Sequence, residues 1–127
     1  MEDLFRFEKL LIWKESIVYA KHVYALADKL PKSELFGLIA QLKRAVLSIS
    51  SNIAEGSGST TVNDFSRYLD IAIKSAIETV SQLLFALEMN YATEEEVRPL
   101  YDEAQVLIKR IQSFKKSLRK PKGVRYD

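Results

Sequence analysis

Apolar residues along this chain recur at alternating steps of three and four in four successive stretches, the spacing of one face of an α-helix. Leu10, Trp13, Ile17, Ala20, Tyr24 and Ala27 form the first series and predict a helix that stops at Leu30, because the residue before Pro31 is pushed out of helical geometry. Ser33 is placed to cap a second helix whose seam reads Leu35, Leu38, Leu42, Ala45 and Ile49, with Asn52 next in line, until Gly56 and Gly58 break it. A run of small polar residues from Gly56 to Thr61 leads to Thr61 or Asn63 as the cap of a third helix that reaches about Asn90. Thr93 followed by Glu96 is a capping box, and the seam it opens is Val97, Leu100, Ala104, Leu107, Ile111, Phe114 and Leu118, ending near Lys120 and before Pro121. No run alternates with period two for long enough to suggest a strand, so the expected class is all-α. Turns this short make sequential helices antiparallel. The expected architecture is an up-down-up-down four-helix bundle in one domain, residues 1–120, followed by a loose basic C-terminal tail, 121–127.

The third helix departs from a single stripe. Leu69, Ala72, Ala76, Val80, Leu83 and Leu87 lie on one side, while Ile73, Ile77 and Leu84 add apolar surface on another. A helix that is apolar nearly all round is buried on several sides, and a lone bundle buries one broad face per helix. The surplus points to contacts with further copies of the chain, that is, to a homo-oligomer.

The second helix carries polar residues at spacings that need an explanation. Gln41, Arg44, Ser48, Ser51 and Glu55 advance by three or four and share a face, with Asn52 on the core seam. Polar groups next to a core need partners, so a hydrogen-bonded network is expected. Ser75 and Glu78 on the third helix are the candidate partners, with Arg44 and Glu78 as a bidentate ion pair. Were that pair buried, Glu78→Ala would cost on the order of 3 kcal/mol.

Composition narrows the chemistry. The chain has 127 residues, enough for one real core, and no cysteine, which removes disulfides, thiolate metal sites and thiol nucleophiles. Its first residues are acidic and include no long apolar run, so neither a signal peptide nor a membrane span is expected, and the default compartment is the cytoplasm. A di-iron carboxylate site in a four-helix bundle needs a Glu-x-x-His pair on each of two helices, whereas His22 is the sole histidine. His22 lies off the seam, beside Lys21, and is expected on the surface. No histidine is placed to activate Ser48, Ser50, Ser51 or Ser75. The Gly56 to Thr61 loop precedes a helix but lacks the Gly-Lys-Ser/Thr ending of a nucleotide-binding loop. A non-enzyme without metal or cofactor is the expectation.

Charge is uneven. Between Ala104 and Tyr126 there are eight basic residues and no acidic one, while the rest of the chain holds eleven basic and seventeen acidic residues. Lys109 and Lys116 are seven apart and stack on the outward side of the fourth helix, Lys120 follows one turn on, and Arg110, Lys115 and Arg119 flank the seam. Such a stripe suits phosphates, and a ring of identical subunits would multiply it. Phe114 and Tyr126 are the only aromatic residues there, so backbone contacts to structured RNA or duplex DNA are expected over base stacking.

The run Pro31 to Gly56, P-x-S-E-L-F-G-L-x-x-Q-L-x-R-A-x-x-S-I-x-x-N-I-A-E-G, is followed from Phe65 to Glu78 by F-x-x-Y-L-x-I-A-x-x-S-x-x-E. Together they closely resemble the bacterial four-helix-bundle family encoded within intervening sequences of 23S ribosomal RNA genes. Members of that family are similar to the accessory variability determinant of diversity-generating retroelements. The resemblance implies a homopentamer with a positive surface that engages nucleic acid and a reverse transcriptase or other protein partner. It carries over Arg44, Asn52, Glu55, Gly56 and Glu78 as structural positions, with Ser48 in the same polar network. Lys74, before Ser75, stands where the resemblance implies a small residue. Two functions follow as expectations: a nucleic-acid-binding accessory protein using Lys109, Arg110, Lys115, Lys116, Arg119 and Lys120, or a protein-interaction scaffold in which the same cations dock an acidic partner or neighbouring subunit.

Overall fold

The computed structural model describes residues 1–119, and among them the chain is all-α, with four α-helices and no strand. Lys120 and the basic tail at 121–127 lie outside the described residues. The helices are α1 (Leu11–Ala27), α2 (Leu38–Ser57), α3 (Val62–Glu88) and α4 (Glu94–Ser117), with short 3-10 turns at Arg6–Lys9 and Lys32–Glu34. Contacts join α1 to α2, α2 to α3, α3 to α4 and α4 to α1, so the four helices stand around one shared core. Leu42, Val46, Ile49 and Ile53 of α2 and Leu69, Ala72, Ala76 and Leu83 of α3 line its centre, with no exposed surface.

Local chemistry sets the helix ends. The α4 capping box forms as expected: Thr93 Oγ1 accepts the Glu96 amide at 3.2 Å, and Glu96 Oε1 accepts the Thr93 amide at 3.0 Å. Thr61, not Asn63, caps α3 by accepting the Asp64 amide at 3.1 Å. At α2 the expectation fails. Ser33 caps nothing; the chain first makes the separate Lys32–Glu34 turn, and α2 begins at Leu38. Glu34 takes over the task, accepting the Leu38 amide on Oε1 at 3.1 Å and the Tyr91 hydroxyl on Oε2 at 3.2 Å. Leu35 therefore precedes the helix and is exposed, as is Phe36.

Two seams shift. In α1 the buried residues are Ile12, Ser16, Tyr19, Ala20, Val23, Leu26 and Ala27, flanked by Leu10 and Leu30, so Leu10, Ala20 and Ala27 of the expected series are in the core while Trp13, Ile17 and Tyr24 are only partly buried. Ser16 is admitted because its hydroxyl donates to the Trp13 carbonyl at 2.7 Å. Trp13 packs edge-on against Phe7 at 4.9 Å, and Tyr24 lies beneath the Lys43 ammonium at 5.0 Å, so both flank the core. In α3, Thr79 and Ala86 replace Val80 and Leu87 at the centre; the Thr79 hydroxyl is satisfied by the Ser75 carbonyl at 2.8 Å. The α4 seam is as expected from Val97 to Ile111 and at Leu118, with Phe114 half-buried.

Gly56 does not end α2, which continues to Ser57. Its role is close approach: a Cβ there would lie 2.7 Å from Tyr68 Cβ and 2.8 Å from Phe65 Cδ1, so only glycine lets α2 and α3 meet at this point.

Candidate nucleic-acid interface

The six cations of the expected stripe cannot all face the same way, and the structure sorts the five that are described by direction. Arg110 turns toward α1 and pairs with Glu15. Lys115 turns toward α3, where its ammonium lies 2.6 Å from Asp70 Oδ1. Arg119 also faces α3 and donates to Asn63 Oδ1 at 3.3 Å, a neutral partner that leaves its charge uncompensated. Lys109 and Lys116 are exposed on the outward ridge and make no ion pair among the described residues. Lys120 lies outside the described residues. The expected stripe is thus reduced: Arg110 and Lys115 are engaged within the bundle, and Lys109, Lys116 and Arg119 remain.

A cation from another helix joins them. Lys74 on α3 lies one turn beyond Asp70 and lines, with Lys115, Lys116 and Arg119, a groove between α3 and α4 that encloses about 730 Å³. Ile73 and Ile77 form its apolar wall. Sequence reasoning marked Lys74 only as a departure from a pattern. The signal that could have found it is the one-turn spacing of Asp70 and Lys74 on the side of α3 that meets α4. The arrangement offers three cations and one ion pair around a groove, with Lys109 continuing the ridge, and suits a string of phosphates more than a single buried anion.

The polar set of α2 divides in two. Asn52 Nδ2 donates to the Ser48 carbonyl at 2.8 Å and to Ser48 Oγ at 2.9 Å, and Ser48 Oγ shares a hydrogen bond of 2.8 Å with Ser75 Oγ on α3. This part of the expected network forms. The Arg44–Glu78 pair does not: both residues are exposed, and Arg44 Nη1 donates instead to Gln41 Oε1 at 3.3 Å, one turn away on its own helix. Glu55 is likewise exposed. The serines are short enough to meet between α2 and α3, whereas long charged side chains at the rim reach water at less cost than each other.

His22 is half-exposed, and its Nδ1 lies 2.8 Å from Glu103 Oε1, linking α1 to α4. No group of three or more His, Cys, Asp or Glu side chains among the described residues is placed to hold a metal ion. No described helix is long and apolar enough to cross a membrane.

Residues 8–113 match the family described as 23S rRNA-intervening sequence protein. The fold is similar to a crystal structure of a protein with unknown function from the S23 ribosomal protein family of Bacteroides thetaiotaomicron. That structure shares 26% identity over 84% of this chain and 99% of the other, with a TM-score of 0.77. No curated protein matches the chain.

Proposed function

The chain belongs to the 23S rRNA-intervening sequence protein family, and from its surface we propose that it is a non-enzymatic accessory protein that binds the phosphate backbone of structured RNA or DNA in the cytoplasm. The observation that carries this reading is the α4 ridge and its groove, where Lys74, Lys109, Lys116 and Arg119 have no carboxylate partner among the described residues. Such cations release condensed counterions on contact with a polyanion, which makes binding steeply salt-dependent.

The bundle is an antiparallel up-down-up-down arrangement. Ser48 meeting Ser75, Gly56 meeting Phe65, and Asp70 meeting Lys115 while Asn63 meets Arg119 all support opposite directions for neighbouring helices. Copies of it assemble into a homo-oligomer, a pentamer by family resemblance. Ile77, Leu84 and Phe85 of α3 and Met89 just beyond its end, each 40% exposed or more, supply apolar surface for that assembly. A ring repeats each ridge, so modest cationic patches add to one field.

The test is binding of a structured RNA and of a DNA duplex across a salt series. Wild-type protein is expected to bind both, and Lys109→Glu with Lys116→Glu to abolish binding. Equal binding by that variant, or none by the wild type at low salt, overturns the proposal. Retention of an acidic protein by the same cations, without RNA, would favour the scaffold function instead.

A further inference from the structure

The segment Met1–Leu4 stands away from its own bundle, with Met1 and Leu4 among the most exposed side chains of the protein. Phe5 fixes where it leaves, stacking on Phe7 at 5.9 Å between ring centroids, and Phe7 in turn packs on Trp13. Glu2 and Asp3 are exposed and make no ion pair among the described residues. The segment therefore offers two adjacent carboxylates followed by an apolar side chain, none of them used where it stands.

The groove between α3 and α4 has the opposite character. Lys74, Lys116 and Arg119 give it positive charge beyond the Lys115–Asp70 pair, and Ile73 and Ile77 give it an apolar wall, with Ile77 55% exposed. We infer that Met1–Leu4 of one copy docks into the α3–α4 groove of a second copy, Glu2 and Asp3 facing Lys74, Lys116 and Arg119, and Leu4 lying on Ile73 and Ile77. Four residues reach at most about 14 Å, so the docking requires copies that already abut. The contact is heterologous, with one segment and one groove per copy, the form that builds a ring when the rotation between copies closes and a filament when it does not. It also covers cations that a phosphate backbone would use, so docking and nucleic acid compete for the groove while the Lys109 ridge stays open.

This inference rests on the homo-oligomer of the proposed function but not on nucleic-acid binding, and the tests separate the two. Light scattering and sedimentation of the full chain come first. Wild-type protein is expected to be oligomeric, and a wild-type monomer sinks the assembly together with the docking. Glu2→Lys with Asp3→Lys, and separately Lys74→Glu with Lys116→Glu, are each expected to weaken association by about tenfold or more, because each sets like charges face to face. The fourfold variant restores opposite charges and is expected to recover association. Unchanged assembly in both double variants, or no recovery in the fourfold one, overturns the docking. Because the chain has no cysteine of its own, a second measurement is available. Mixed under mild oxidant, chains carrying Asp3→Cys and chains carrying Lys116→Cys are expected to form disulfides between unlike copies. Absence of that product, or a double-cysteine chain that closes only on itself, contradicts docking between copies.

Discussion

Replacing Gly56 by alanine is the sharpest probe of how α2 and α3 meet. The added methyl would sit 2.7 Å from Tyr68 Cβ and 2.8 Å from Phe65 Cδ1, distances that real Cβ atoms do not tolerate. Neither neighbour yields easily. Tyr68 Cβ moves only with the α3 backbone, and the Phe65 ring is held edge-on by Phe114 at 5.6 Å and by the Arg6 guanidinium at 5.1 Å. Overpacking of this kind costs about 1–3 kcal/mol, and two such contacts argue for the upper half. Alanine recovers about 0.5–1 kcal/mol of helix propensity. The net loss is about 1–2 kcal/mol, which for a domain of this size lowers Tm by about 4–8 °C. Gly58 is the control: a Cβ there meets only the Glu55 carbonyl, at an ordinary 3.5 Å. Gly58→Ala should be neutral or stabilising by up to about 1 kcal/mol. Thermal and urea melts followed by circular dichroism read both. A Gly56→Ala protein as stable as wild type, or more so, refutes the close approach.

Further outcomes follow from three single side chains. Tyr19 is fully buried and its hydroxyl has no hydrogen-bond partner among the described residues, so Tyr19→Phe should stabilise the protein by about 1 kcal/mol in a urea melt. Burial, with a smaller contribution from the Glu103 carboxylate, holds the Tyr19 phenol well above its ordinary value of 10.0. The unfolded chain therefore ionises first, stability should fall as pH rises past that value, and Tyr19→Phe should remove part of the fall. Backbone and side-chain hydrogen bonds from Thr93 hold the Glu96 carboxyl below its ordinary range. Its stabilisation is present at neutral pH and lost as pH falls through and below the carboxylate range, so melts of Glu96→Gln should show a flatter acid limb than wild type. Glu78→Ala should change stability by less than about 0.5 kcal/mol, as for any exposed residue without an ion pair; a loss near 3 kcal/mol would reinstate the Arg44 pair.

The sequence made some elements legible because one signal sufficed. Thr93 and Glu96 close a capping box within four residues, and the α4 seam has one apolar series without a competitor. In α1, two interleaved series share Ala20 and Ala27. The one with Trp13, Ile17 and Tyr24 looks more apolar, yet Ser16 belongs to the buried one because its hydroxyl can bond the helix's own Trp13 carbonyl. Glu34 as the cap of α2 was hidden because it acts from four residues away while Tyr91 braces it from the α3–α4 turn. Sequence spacing placed the α4 cations on a helix but could not see Glu15 and Asp70, which reach Arg110 and Lys115 from two other helices. For the same reason it passed over Lys74, whose place beside Lys116 exists only after α3 and α4 have packed.

The most direct test of the account is the salt dependence of binding to a structured RNA, compared between the wild type and Lys109→Glu with Lys116→Glu. Lys74, Lys109, Lys116 and Arg119, without a carboxylate partner among the described residues of their own copy, predict log K falling against log salt with a slope of up to about −3 to −4 for each copy in contact through an open groove, and no measurable binding by the variant. Binding that is indifferent to salt, or that survives both charge reversals, would contradict a cationic ridge that grips the phosphate backbone.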